Sequence, residues 1–419
     1  MTFCMEPYAQ DREALSKYLV NHVENVLKKP RSFIRYPFID PGSVYDGNVW
    51  DWDTYWSVYS LFGLRDLFTD DLNARILIHA EGNVRNFFDH QQPDGYIPMM
   101  IEVAKWPEPY LVMRHKEGVR MNMHKPFLAS QAVLICRRKG NWGWMREYVE
   151  PLERYFAYYE TYRNENCGLY VWHDDIMIGM DNDPATFGRP FDSTANIFLN
   201  SFLVMELQSM ADLLTALNMP EKAETYLARR AELIEAIQRE CWDPRDRFFY
   251  SVDTDIKTRK YDWFHQGLGV FWKTLPIKIR VWSGFLPMLV GFATQEQAAS
   301  LAKHAFDGDT FGSEYGLCTL AKDEKMFDLS VTNNPSNWLG PIWLVANYAV
   351  FRGLLNYGYR NEAETIASRS LRLLANDLRK TGCMHEYYNP FTGEPVMNGG
   401  FINWNTLALN MALEMEEKK

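Results

Sequence analysis

Basic clusters are missing from this 419-residue chain: its formal charge is −10, and no run of lysine and arginine interrupts it. A phosphate backbone is held by grouped cations, so nucleic acid is not an expected partner. Long apolar runs are missing too, and none approaches the roughly 20 residues that a membrane span requires, so no membrane partner is expected either. The opening stretch, MTFCMEPYAQDREALS, has no basic segment leading into an apolar one, so no secretory leader is expected. Six cysteines (Cys4, Cys136, Cys167, Cys241, Cys318, Cys383) are scattered without a CxxC pair. They read as free thiols in a reducing cytoplasm. The nine histidines include neither HExxH nor a zinc-spaced cluster, so no metal or other cofactor is expected. Self-association as a homo-oligomer is left open.

What the chain has in quantity is apolar and aromatic side chain. Hydrophobic residues make up 47%, enough for a sizeable core, and 15% are aromatic, with 14 tryptophans. Some of these belong to the core. Tryptophan and tyrosine in loop-like stretches also supply the flat faces that stack on sugars.

Apolar residues recur at helical spacing in Asp11–Lys29, Asp53–Leu67, Asp70–His90, Asn122–Arg137 (extended at first), Gly143–Arg163, Thr194–Leu217 and Pro220–Cys241. Further helices are expected at Phe285–Leu289, Thr294–His304, Trp338–Leu355, Asn361–Lys380 and Trp404–Glu416. Asp53 or Thr54 suits the N-cap of its helix. Short aromatic extended pieces (GLYVWHDD, RFFYSVD, MHEYYNP) recur between helices. No low-complexity linker divides the chain. The pattern predicts an all-α fold in which residues 1–419 form one domain of paired helices. Closed into a ring with its loops gathered at one end, such a domain is an (α/α)6 barrel with short β-hairpins in the loops.

Chemistry concentrates in Val171–Pro184, VWHDDIMIGMDNDP, which packs Asp174, Asp175, Asp181 and Asp183 among tryptophan, methionine and glycine. Carboxylates that close to apolar residues need water, partners or a chemical role. A second polar-aromatic loop, MHEYYNPFTGEP, carries Glu386, 205 residues after Asp181. Two carboxyls across a glycosidic bond can hydrolyse it, one protonating the leaving oxygen and the other activating water. Asp181 and Glu386 are the candidate pair, and the residues alone do not say which is acid and which is base. Asp174, Asp175 and Asp183 are expected to be solvated or capping.

Six motifs occur in one order: WDWDTYW (Trp50–Trp56), QQPDGYIP (Gln91–Pro98), GMDNDP (Gly179–Pro184), NWLGPIW (Asn337–Trp343), HEYYNPFTGE (His385–Glu394) and GGFINWN (Gly399–Asn405). In this order they resemble glycoside hydrolase family 63, over roughly residues 40 to 410. The trehalases are similar to that family and share its (α/α)6 barrel. In length the chain looks most like the compact bacterial mannosylglycerate and glucosylglycerate hydrolases. The resemblance implies inverting hydrolysis of an α-glycosidic bond in a small sugar substrate, with Asp181 as general acid and Glu386 as general base.

It also implies that Asp53 grips sugar hydroxyls, with Gln92, Asp94 and Tyr96 as a second part of the sugar subsite. Asp94-Gly95 would equally suit a turn. Trp50 and Trp52 are expected at the substrate, although helical geometry sends some of Trp50, Trp52 and Trp56 into the core. Trp338 is a candidate stacking platform; Pro341 and Trp343 read as structural. Tyr45, Gly179, Tyr387 and Trp404, in or beside the motifs, complete the expected sugar-binding set. Leu339 stands where trehalases carry an arginine, which weakens a trehalase reading. Arg189 is the candidate partner of a glycerate carboxylate, through a bidentate pair.

Rivals fare worse. A terpene synthase wants DDxxD, but Ile178 follows Asp174-Asp175 where the third acid belongs. A sugar epimerase on a similar barrel would use a histidine pair, for which His173 and His385 are the candidates. A sugar-binding protein on a dead hydrolase scaffold would be expected to lack one carboxylate, and both are present.

Overall fold

The computed structural model describes residues 6–103, 106–256, 272–330 and 336–416. Cys4 lies outside them. Thirteen α-helices occur among the described residues: α1 (Glu6–His22), α2 (Asp51–Gly63), α3 (Asp70–Asp89), α4 (Tyr110–Lys116), α5 (Leu128–Lys139), α6 (Val149–Tyr159), α7 (Ile197–Ala216), α8 (Pro220–Glu240), α9 (Leu286–Val290), α10 (Gln295–Phe306), α11 (Leu344–Asn356), α12 (Arg360–Thr381) and α13 (Leu407–Glu416). Short helix α4 is the one that periodicity missed.

Six of them close a ring. Helix α2 packs on α5, α5 on α7, α7 on α9, α9 on α11, α11 on α13, and α13 returns to α2. The alternate helices α1, α3, α6, α8, α10 and α12 lie outside, which makes the fold an (α/α)6 barrel. Composition follows position. In α2 and in α11, 10 of 13 residues are buried, because an inner helix meets protein on every side. Outer helix α8 buries 5 of 21, the single apolar stripe of a helix with one face in water. Helix α7 is long and apolar enough to cross a membrane by length and composition, contrary to the expectation that no apolar run approaches a span. Here it is an inner-ring helix with most of its length in the core.

Local signals set the helix ends. Asn196 caps α7 through the Phe198 amide at 2.8 Å, and Thr294 with Gln297 forms a capping box on α10. Pro220 opens α8, where its missing N–H costs nothing. Helix α2 begins at Asp51, so Asp53 lies inside the first turn and is not the N-cap. Helix α11 starts at Leu344 and not at Trp338, because Gly340 (φ +133°) and Pro341 lead into an extended pair, Ile342–Trp343.

The strands are two or three residues long and sit in the loops. Val49–Trp50 pairs with Met100–Ile101 just before α2. Ile342–Trp343 pairs with Tyr387–Tyr388, which pairs with Pro395–Met397. These small sheets tie together the loops at the N-terminal ends of the inner helices.

Candidate active site

A cavity opens at that end. Its wall comes from segments at or just before inner helices. Tyr45, Trp50, Trp52 and Asp53 lead into and begin α2, and Lys125 precedes α5. Met177, Gly179 and Asp181 precede α7, and Ser336, Trp338 and Trp343 precede α11. Glu386 and Trp404 precede α13, and Met99 lies beside the Met100–Ile101 strand. Carboxylates are favoured near helix N-termini, where backbone N–H groups leave partial positive charge.

Tryptophans build the floor. Trp52, Trp338, Trp343 and Trp404 close a ring of neighbours, with centroid separations of 5.9, 3.9, 5.9 and 5.1 Å in turn. Trp343 stacks on Trp338 on one side and on Tyr387 on the other. The Trp50 and Trp404 indole N–H groups have no hydrogen-bond partner among the described residues. Buried donors without partners are costly, and a hydroxylated ligand would satisfy them.

Glu386 stands just before Tyr387–Tyr388, and its amide donates to the Met397 carbonyl at 3.1 Å. Its carboxylate accepts the Tyr45 hydroxyl at 2.9 Å and the Asn398 amide. Burial pushes Glu386 up to about 7; the Asp181 charge adds to that, while the Asn398 and Tyr45 hydrogen bonds oppose it. Asp181 is therefore near enough to act on Glu386 electrostatically, yet Asp181 is exposed and Glu386 buried. Burial, first, and the Glu386 charge raise the Tyr45 hydroxyl far above its ordinary value, so Tyr45 stays a donor. The Tyr45 loop is shaped by buried Asp40, which accepts the Gly42 and Gly47 amides.

The Asp181 loop is held by its neighbours. Asn182 donates to Asn337 at 3.0 Å and accepts the Trp338 amide at 2.7 Å. Asp183 is buried, accepting Thr186, Asn196 and the Ala185 amide, so it caps the turn and is not solvated. Asp174 binds Asn122 and the Ile176 amide, and Asp175 accepts the Gly188 amide. Gly179 (φ +91°) passes so close that a Cβ would lie 3.2 Å from Trp52 and 3.3 Å from Lys125.

Asp53 accepts the Asn403 amide at 2.7 Å, and Asn403 is oriented in turn by Ser57 at 2.9 Å. Burial drives the Asp53 carboxyl well up, Asp51 and Glu386 add to that, and Lys125 opposes it. Lys125 and Asp51 form a buried ion pair at 2.8 Å. Removing one member of such a pair costs about 3–5 kcal/mol.

Five expected sugar-binding residues lie outside the cavity wall. Gln92 donates to the His90 carbonyl, and Asp94 accepts the Tyr96 amide and pairs with His115 at 2.8 Å. Tyr96 is buried against the His115 ring at 4.1 Å. QQPDGYIP is thus a turn around Gly95, and the residue that reaches the cavity is Met99, just after it. Arg189 is engaged by Asp253 at 2.5 Å and Thr194 at 3.0 Å, away from the wall. Tyr387 lies one ring behind, under Trp343. Trp338 is in the wall, but its face is taken by Trp343. Sequence reasoning missed Met99, Lys125, Met177 and Ser336, and took Trp343 as structural only. Lys125 had a signal, a lone cation in the run MNMHKPFLASQAVLIC.

A closed double ring of helices with two carboxyls in a tryptophan-floored cavity has the parts that a glycoside hydrolase needs. Residues 47–404 match the family model described as the mannosylglycerate hydrolase MGH1-like glycoside hydrolase domain, and the chain belongs to that family, within glycoside hydrolase family 63. Mannosylglycerate hydrolase MGH1 of Selaginella moellendorffii is 30% identical over 176 residues, covering 41% of this chain and 31% of that protein. The probable mannosyl-oligosaccharide glucosidase of Schizosaccharomyces pombe is 24% identical over 283 residues, covering 65% and 31%. The chain spans about a third of the length of these curated relatives. Among solved structures, the family 63 mannosylglycerate hydrolase of Thermus thermophilus in complex with glucose superimposes with a TM-score of 0.67 at 20% identity. That match covers 94% of this chain and 99% of the other. Neutral trehalase from Saccharomyces cerevisiae gives 0.59 at 17%, covering 91% and 74%.

Proposed function

We propose that this chain is an inverting α-glycosidase acting on a small glycoside, glucosylglycerate or mannosylglycerate, in the cytoplasm. The observation that carries the reading is the Asp181–Glu386 relationship: one exposed and one buried carboxyl, in the same cavity wall and within electrostatic reach. Asp181 protonates the glycosidic oxygen as its bond to the anomeric carbon breaks. Glu386, ionised above about pH 7, takes a proton from the water that attacks that carbon from the opposite face. The sugar leaves with inverted configuration. This assignment of acid and base follows the family resemblance. The ring closing within residues 6–416 supports reading the chain as one catalytic domain.

A second reading is supported by the match to mannosyl-oligosaccharide glucosidases over 65% of the chain: removal of terminal α-glucose from a short oligosaccharide. A substrate panel of both glycerate glycosides, trehalose and glucose-capped oligosaccharides separates the two. Release from the glycerate glycosides alone supports the first reading; release from the oligosaccharides alone replaces it. Asp181→Asn and Glu386→Gln should each remove most turnover while sugar binding remains, and near-normal kcat in either would mean the wrong pair.

A further inference from the structure

Lys125 is the sole cation among the described residues of a wall that also holds Asp53, Asp181 and Glu386. It is fixed at both ends. Its amide donates to Asp51 Oδ2 at 2.7 Å and its ammonium meets Asp51 Oδ1 at 2.8 Å. The extended segment that carries it is anchored by three hydroxyls on one face of α6 and the turn after it. Tyr155, Tyr159 and Tyr162 donate to the carbonyls of Lys125, His124 and Met121 at 3.0, 2.6 and 2.7 Å. The side-chain stem runs beneath Gly179 and beside the Trp52 ring, joining the Asp181 loop to the start of the Asp53 helix.

An ammonium has three N–H donors. One reaches Asp51; the other neighbours are weak, the Met177 carbonyl at 3.5 Å and the Met99 sulfur at 3.8 Å. Two of its three donors are thus held only by weak partners. A buried ion pair is also a poor device for stability alone, since well-packed apolar side chains of similar volume often do as well or better. A pair kept in the wall of a ligand cavity calls for a role with the ligand.

We propose that Lys125 is a substrate-positioning residue whose ammonium, balanced by Asp51, donates to a hydroxyl of the cleaved sugar held beside Asp53. The inference rests on the glycosidase reading above and deepens it. The local charge favours a hydroxyl over a carboxylate as the acceptor: Asp51 neutralises the lysine, and three more carboxyls share the wall. The neutral sugar ring lies over Lys125 and Asp53, and any acidic aglycone lies away from them.

The test compares wild type, Lys125→Met and the double variant Asp51→Asn/Lys125→Met, which leaves no buried charge unpaired if the single variant fails to fold. Each is assayed with the parent glycoside and its 2-, 3-, 4- and 6-deoxy analogues, and with the matching free sugars by thermal shift. Loss of a charge-assisted hydrogen bond should lower kcat/KM for the parent by about 10- to 100-fold. Wild type should reject one deoxy analogue far more than the variants do. If the variants lose the same factor on every analogue, or keep parent activity, the lysine is structural and the proposal falls. If wild type hydrolyses none of the glycosides but binds the sugars, the glycosidase reading fails. The deoxy pattern in the thermal shifts then decides the role of Lys125, and sugar binding blind to Lys125 overturns it.

Discussion

Tyr45 donates its hydroxyl to Glu386 Oε1 at 2.9 Å, joining the loop before α2 to the loop before α13. With the Asn398 amide on the other oxygen, it holds Glu386 lower than burial alone would. A base must be ionised, so kcat/KM should rise as pH passes about 7. Tyr45→Phe and Asn398→Ala each remove one stabilising hydrogen bond from the ionised form. Both should move that acidic limb to higher pH, which a kcat/KM–pH profile reads. A limb that stays put or moves down would separate these groups from the base.

The same carboxyl should make stability depend on pH. Its folded value, about 7, lies above the ordinary 4.5. Between those pH values the folded protein keeps a proton that the unfolded chain has released, so this group's contribution falls as pH rises through the window. Glu386→Gln, which carries no charge to bury, should melt higher than wild type at pH 8, with the gap shrinking at pH 5. Melting curves at the two pH values check this, and a gap that grows at pH 5 would refute it.

Asn182 is the tie between the Asp181 loop and the Trp338 loop. Asn182→Ala leaves the buried Trp338 amide without its acceptor. A buried unpaired group costs about 1–3 kcal/mol. The expected outcome is a loss of stability of that scale, read as a lower Tm, together with a fall in kcat, since both loops line the cavity. Unchanged kcat would show that the Asp181 loop is held without this link.

Trp338→Ala is expected to damage the fold as well as the site. Trp338 is stacked on Trp343 and almost fully buried, so truncation should cost about 3–5 kcal/mol. A chemical denaturation curve measures it. A change confined to KM, with stability intact, would restore the role of a free stacking platform.

Much of this was legible in the chain. Twelve helical windows matched helices because inner and outer positions each leave a 3.6-residue pattern. Short α4 carries too few turns to show one. Ring closure was not readable, since the contact of α13 with α2 joins segments some 350 residues apart and leaves no local trace. Trp338 to Trp343 mimics a helix in its apolar spacing, but Gly340 and Pro341 extend it. Motif order brought out both carboxyls, Asp53 and four wall aromatics: Tyr45, Trp50, Trp52 and Trp404. It failed where partners decide: Asp253 claims Arg189, His115 claims Asp94, and Asp51 makes a buried lysine tolerable.

The most direct test of the account is a proton NMR time course of α-linked glucosylglycerate with the enzyme, recording which glucose anomer appears first. Inversion through Asp181 and Glu386 requires β-glucose first, with the α-anomer following only by mutarotation. Early α-glucose would contradict the account, because retention needs one of the carboxyls to bond the sugar.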